Sequence, residues 1–131
     1  MHTLEEKKDA FARLLTIMDE LREKCPWDKK QTLESLRHLT IEEVYELGDA
    51  ILDGDMDEIK KEIGDLLLHM TFYARIASET NDFDIADSLH SICDKLIHRS
   101  ARFNLLMNPR IEGIGRLDVS GIRSIVSADD S

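Results

Sequence analysis

The chain is expected to be all-α, a single domain built as an antiparallel four-helix bundle. Three observations predict this. Apolar residues recur at three- and four-residue steps over long stretches. Short turn signals, rather than long linkers, separate those stretches. Two prolines and six glycines in 131 residues leave most of the chain free to be helical, and this length supports one domain with a core of its own.

Leu4, Phe11, Leu14, Leu15, Ile17, Met18 and Leu21 mark a first amphipathic helix over residues 4–24. It should stop at Cys25-Pro26, because a residue before proline is pushed out of the α region, and CPWDKKQT is read as a loop. Thr32 is placed to cap a second helix over 33–53, with a break expected near Leu39 and Thr40. A turn through Gly54 leads to a third helix over 57–79, and Thr80 to Asp82 form the next break. A fourth helix is expected over 84–99. Beyond Arg99 the pattern settles into neither a helical nor a strand period. The domain is therefore drawn as 1–99, with 100–131 as an atypical, poorly ordered tail.

Composition excludes several classes of function. No apolar run approaches the roughly 20 residues of a membrane helix, and the N-terminal stretch MHTLEEKKDAF lacks the apolar region of a secretory signal, so a cytoplasmic location is expected. Cys25 and Cys93 show neither CxxC nor Cys/His ligand spacing and are read as reduced. A formal net charge of −10 opposes nonspecific binding to a nucleic-acid polymer, which needs Lys and Arg to displace counterions.

The most informative residues are acidic. At about 100° per residue, Glu42, Glu43 and Glu46 fall in one sector of the second helix, with Asp49 at its edge. Glu62 and Asp65 share a sector of the third helix with Leu66, Tyr73 and Ile76, so these acids are expected to face the core. An acidic stripe is usually a solvated face. Here the apolar surroundings of Glu62 and Asp65 argue otherwise, because converging carboxylates in a dry interior repel one another unless a cation or protons compensate. A set of hard oxygens without thiolates favours Mg²⁺, with Mn²⁺ as the alternative, over zinc. A di-iron bundle is the chemical rival, but neither acidic helix carries Glu-x-x-His, and His69 is expected to pack beside the site rather than ligate.

Two further groups have both a functional and a structural reading. Trp27, the only tryptophan, stands beside Asp28 and Gln31, a combination suited equally to stacking on a base while reading its edge and to anchoring a loop on the core. Lys95 and Arg99, four residues apart, suit phosphate oxygens or a solvated basic face. Arg22 and Arg75 are assigned to the surface.

Taken in order, CPWDKKQT, TIEEVYELGDAI, KKEIGDLLLHMTFYARIA and FDIADSLHSICDKLIHR resemble the MazG-type nucleoside triphosphate pyrophosphohydrolases over about residues 11–99. The resemblance implies that Glu42, Glu43, Glu46, Glu62 and Asp65 hold Mg²⁺ or position its water, with Glu42 or Glu43 as proton acceptor. It further implies that Lys95 and Arg99 contact the triphosphate, that Trp27, Asp28 and Gln31 lie near the nucleotide, and that dimerisation completes the bundle as a homodimer or higher homo-oligomer. The implied reaction splits a nucleoside triphosphate into monophosphate and pyrophosphate, clearing the nucleotide pool. The competing readings are a catalytically weak nucleotide-binding or regulatory module and a purely structural helical oligomer.

The chain departs from the family after Arg99, where members commonly read Arg-His-Pro-His-Val-Phe and this sequence reads RSARF. The codon string CAT CCG CAC GTT TTC, shifted by one frame, contains TCC GCA CGT TTT, which encodes the residues found from Ser100 to Phe103. The hypothesis is a shifted reading frame over 100–131. Sequencing the coding DNA tests it: a second frame beyond Arg99 should encode a MazG-like continuation, and its absence would refute the shift.

Overall fold

The computed structural model describes residues 1–107. Among the described residues there are five helices and no strand: α1 (Leu4–Lys24), α2 (Pro26–Lys30), α3 (Leu33–Asp53), α4 (Met56–Glu79) and α5 (Ile85–Met107). The all-α expectation is borne out. The chain divides into two units, Met1–Asp84 and a second that begins at Ile85. The boundary expected at Arg99 falls inside α5, which continues to Met107. Residues 108–131 of the expected tail lie outside the described residues.

Local chemistry accounts for where the helices begin and end. Thr3 caps α1 in a reciprocal box with Glu6, and Thr32 caps α3 in the same way with Ser35, satisfying backbone N–H groups that have no partner within the helix. Gly54 closes α3 at φ 68°, a left-handed conformation that glycine adopts without steric penalty. Asp55 then caps α4 by accepting from the Glu58 N–H at 3.1 Å.

Two expectations are corrected. CPWDKK is a short helix rather than a loop, because Pro26 occupies a first-turn position whose missing N–H would have had no helical partner. The break expected near Leu39 and Thr40 does not occur. A threonine hydroxyl inside a helix can compete with the backbone ladder. That of Thr40 instead bonds back to the Leu36 carbonyl at 3.3 Å and reaches across to α4.

In the first unit α3 and α4 pair as a helical hairpin, and α1 packs against α4. Met18 of α1, Leu36 of α3 and Phe72 of α4 form the buried centre, with Leu39, Leu68, Tyr73 and Ile76 packed around it. The α3 stripe that meets α4 runs Leu36, Thr40, Glu43, Leu47 and Ala50, at steps of three and four residues. The facing positions on α4 are Ile59, Glu62, Leu66, His69, Tyr73 and Ile76. The interface is thus apolar at both ends and polar in between.

Arg22 is not a surface residue. Its Nη1 donates to the carbonyls of Asp28 at 2.7 Å, Lys29 at 3.1 Å and Gln31 at 2.9 Å. These carbonyls lie at the C-terminal end of α2, where helix carbonyls lack intrahelical partners, and that of Asp28 also accepts from the Gln31 N–H at 3.3 Å. Nε and Nη2 grip Glu79 of α4 at 2.7 and 2.9 Å, and the guanidinium lies 5.9 Å from the Phe72 ring centroid, within reach of a cation–π attraction. Arg75, also assigned to the surface, pairs with Asp19 at 2.7 Å and with Glu79 at 3.4 Å. The pairing with Arg22 holds the Glu79 carboxyl below its ordinary range.

Arg22→Ala should destabilise the protein by about 2–3 kcal/mol, read by denaturant unfolding, because one truncation removes a bidentate ion pair and the Nη1 donor shared by the Asp28, Lys29 and Gln31 carbonyls. The Glu79 contribution exists above the ordinary carboxylate value of 4.5 and disappears as pH falls through the lower folded-state value, so Glu79→Gln should flatten the acid limb of stability against pH.

Candidate metal centre

Glu43 of α3 and Glu62 and Asp65 of α4 each offer a carboxylate oxygen, and these oxygens all lie within 4.8 Å of one another. Helical geometry brings them together. Glu43 stands on the α3 stripe two turns from Leu36, Glu62 is on the facing stripe, and Asp65 is one turn further along α4. The expectation that Glu62 and Asp65 both face the core holds for Glu62 and needs correcting for Asp65. Glu62 is buried at 4% exposure and Glu43 is half-buried, whereas Glu42, Glu46 and Asp65 are exposed. The acids line a rim above one buried carboxylate, since angular position on a helix specifies direction and not depth.

Glu62 carries the electrostatic strain. Its carboxyl is pushed up to about 7, first by the adjacent Glu43 carboxyl, with which a protonated Glu62 can share a hydrogen bond, then by burial and by the charges of Glu43 and Asp65. Glu46 is raised in turn, chiefly by the charge of Glu62. With both Glu43 and Glu62 ionised there is no proton to share, and Glu43 Oε2 and Glu62 Oε1 are buried without a hydrogen-bond partner. Two unpartnered oxygens in a hard-oxygen set fit a divalent cation, which takes carboxylate ligands and offsets the repulsion. Neither free cysteine belongs to the group, and the His69 Nδ1 is engaged by Thr40 at 3.0 Å.

The other expected site residues are placed differently. Trp27 is 55% exposed and Asp28 is buried. The Gln31 amide is committed locally, donating to the Trp27 carbonyl at 2.9 Å and accepting from the Ser35 hydroxyl at 2.7 Å. Through Arg22 this segment is tied to Glu79, at the C-terminal end of α4. Glu79 is about four helical turns along α4 from Asp65. The structure does not bring Trp27, Asp28 or Gln31 to the acidic cluster. Lys95 and Arg99 stand one turn apart on α5.

Sequence reasoning passed over the trio of Thr40, His69 and Tyr73, in which the Thr40 hydroxyl meets both the imidazole and the phenol. A signal was present: Thr40 lies on the buried stripe one turn before Glu43, where a hydroxyl must find a partner.

An all-α unit with a carboxylate cradle between two antiparallel helices describes a class of cation-assisted helical proteins. Comparison narrows it. Residues 31–103 match the MazG nucleotide pyrophosphohydrolase domain, and the chain belongs to that family. It is 48% identical over 90 residues to the nucleoside triphosphate pyrophosphohydrolase of Escherichia coli K12, covering 66% of this chain and 34% of that protein. It is 47% identical over 91 residues to the nucleoside triphosphate pyrophosphohydrolase/pyrophosphatase MazG of Thermotoga maritima, covering 68% and 36%. The crystal structure of a mazG-related protein from Thermotoga maritima superposes with a TM-score of 0.61 at 29% identity, covering 68% of this chain and 78% of that one. The chain spans about a third of the length of the curated relatives it matches. No helix among the described residues is long and apolar enough to cross a membrane.

Since the folded-state value of Glu62 lies above its ordinary 4.5, protonated Glu62 favours the fold at low pH, and that contribution is lost as pH rises through about 7. In chelator the melting temperature should therefore decline over this interval, and Glu62→Gln should remove the decline. Adding Mg²⁺ at alkaline pH should raise the melting temperature of the parent protein and leave that of the variant unmoved.

Proposed function

We propose that this chain hydrolyses nucleoside triphosphates to monophosphate and pyrophosphate with Mg²⁺, or Mn²⁺ in its place, in cytoplasmic clearance of the nucleotide pool. The observation that carries this reading is the cluster of Glu43, Glu62 and Asp65, with two buried carboxylate oxygens lacking partners. The relatives, nucleoside triphosphate pyrophosphohydrolases by name, support the reaction class.

In this reading Glu43, Glu62 and Asp65 hold the cation, and Glu46 adds negative charge at the rim. The cation supplies Lewis acidity and charge neutralisation toward the phosphate oxygens. Glu43 is occupied within the cluster, which leaves its exposed neighbour Glu42 to take the proton of the attacking water. Lys95 and Arg99 are retained as phosphate contacts on their chemistry, a point charge and a planar fork one helical turn apart. Trp27, Asp28 and Gln31 are set aside as contacts to a nucleotide held by the same chain's carboxylates, because the Arg22 clamp draws them to the far end of α4. A homodimer is also proposed. Val44 and Tyr45 on α3 are 53% and 70% exposed, apolar surface that a second copy would cover.

Release of pyrophosphate from a panel of ribo- and deoxyribonucleoside triphosphates, with and without Mg²⁺, tests the reading. Glu62→Gln and Asp65→Asn should each lower turnover by about a hundredfold or more. Nucleotide binding without turnover of any panel member would instead favour a binding or regulatory module, which the sequence departure after Arg99 makes the second reading.

A further inference from the structure

Thr40, His69 and Tyr73 take no part in the proposed chemistry, yet they lie close to it along both helices. Thr40 precedes Glu43 by one turn of α3, and His69 follows Asp65 by one turn of α4. The Thr40 hydroxyl meets His69 Nδ1 at 3.0 Å, the Tyr73 hydroxyl, and the Leu36 carbonyl of its own helix at 3.3 Å. Apart from this joint, the α3–α4 seam away from the acids is apolar. Leu36, Leu39, Leu68, Phe72 and Ile76 pack there, through contacts that have no preferred direction.

Apolar packing opposes a small slide or roll of one helix on the other only through steric fit, whereas hydrogen bonds restrict both distance and angle between named atoms. The acidic cluster cannot absorb such a slide. Its oxygens come from opposite helices and span no more than 4.8 Å. A displacement of a single residue's rise, about 1.5 Å, is large on that scale. Glu43 and Glu62 meet across α3 and α4 at this level, and Thr40 supplies a cross-helix polar tie one turn away. With its single proton donated to the Leu36 carbonyl, the Thr40 hydroxyl accepts from the His69 Nδ1–H.

We propose that Thr40, His69 and Tyr73 are positioning residues that set the register of α3 on α4, and so the spacing of the carboxylates, making divalent-cation affinity depend on the Thr40 hydroxyl. The proposal rests on the cation site proposed above. None of the three needs to touch the cation or the nucleotide. Thr40→Val keeps the side-chain shape and removes the hydroxyl, Thr40→Ser keeps the hydroxyl, and Tyr73→Phe removes only the phenol.

The test is calorimetric titration of the full chain with Mg²⁺, alongside melting temperatures and the pyrophosphate-release assay at saturating and limiting Mg²⁺. Thr40→Val should bind Mg²⁺ about tenfold or more weakly, Tyr73→Phe should shift in the same direction, and Thr40→Ser should restore parental affinity. Turnover of Thr40→Val should recover at saturating Mg²⁺. A purely structural hydroxyl would lower the melting temperature and leave Mg²⁺ affinity unchanged, and that result overturns the proposal. If Thr40→Val fails to fold, parental affinity in Tyr73→Phe overturns it equally. The two readings fail differently: Mg²⁺ binding abolished by Glu62→Gln but indifferent to Thr40→Val leaves the cation site standing and removes the positioning network, whereas a parent protein that binds no Mg²⁺ removes both.

Discussion

Burying one carboxylate between two others is the constraint to which the rest of the first unit answers. Glu62 is nearly dry and faces Glu43 across the α3–α4 seam, and each added negative charge there opposes the pairing of the two helices. The compensation is spatially separated. Leu36, Phe72 and Met18 form the buried centre on one side of the acids, and on the side of the Gly54 turn Ala50 is buried and Leu47 and Ile59 are half-buried. A graded seam, apolar to hydroxyl to carboxylate and back to apolar, lets hydrophobic burial stabilise helices whose middle section repels.

The clamp around Arg22 solves a different problem. A five-residue helix such as α2 has more unsatisfied backbone groups than internal hydrogen bonds, and alone it would not persist in water. Here a single guanidinium donates to the Asp28 and Lys29 carbonyls of α2 and to that of Gln31 just beyond it, and is itself neutralised by Glu79. The same residue therefore joins α1, α2 and α4. The segment carrying Trp27 becomes a fixed part of the end of α4 remote from the acids.

What the sequence made legible follows from which interactions are local. The C-terminal end of α1 and both ends of α3 could be read because Pro26, Thr32 and Gly54 act within a few residues of themselves. The acidic cluster was legible because helical periodicity places Glu43 and Glu62 on the buried stripes of their helices and Asp65 one turn from Glu62. Depth was not legible. Glu42 and Glu46 share a sector with Glu43 and still reach solvent, because burial depends on what the neighbouring helix covers. Arg22 was misread for the same reason: Glu79 lies 57 residues away, and nothing in the local pattern of α1 distinguishes Arg22 from an arginine in water. The Pro26 helix was missed because Cys25-Pro26 ends α1 and starts α2 at the same point, and only the first of these effects was counted.

The electrostatic arrangement also links folding to occupancy of the proposed site. A carboxyl held near 7 is close to half protonated at neutral pH, so a proton and a divalent cation compete for the same buried oxygens. Either one relieves the repulsion across the seam, but they do so differently. The proton satisfies Glu62 by turning it into a donor toward Glu43 and leaves the remaining acids charged. A cation draws Glu43, Glu62 and Asp65 toward a common point and demands a defined spacing from both helices. Stability and geometry are therefore distinct demands on this hairpin: protonation of Glu62 relieves repulsion without fixing the spacing of the acids, whereas a cation cradle further requires α3 and α4 to keep their register under charge.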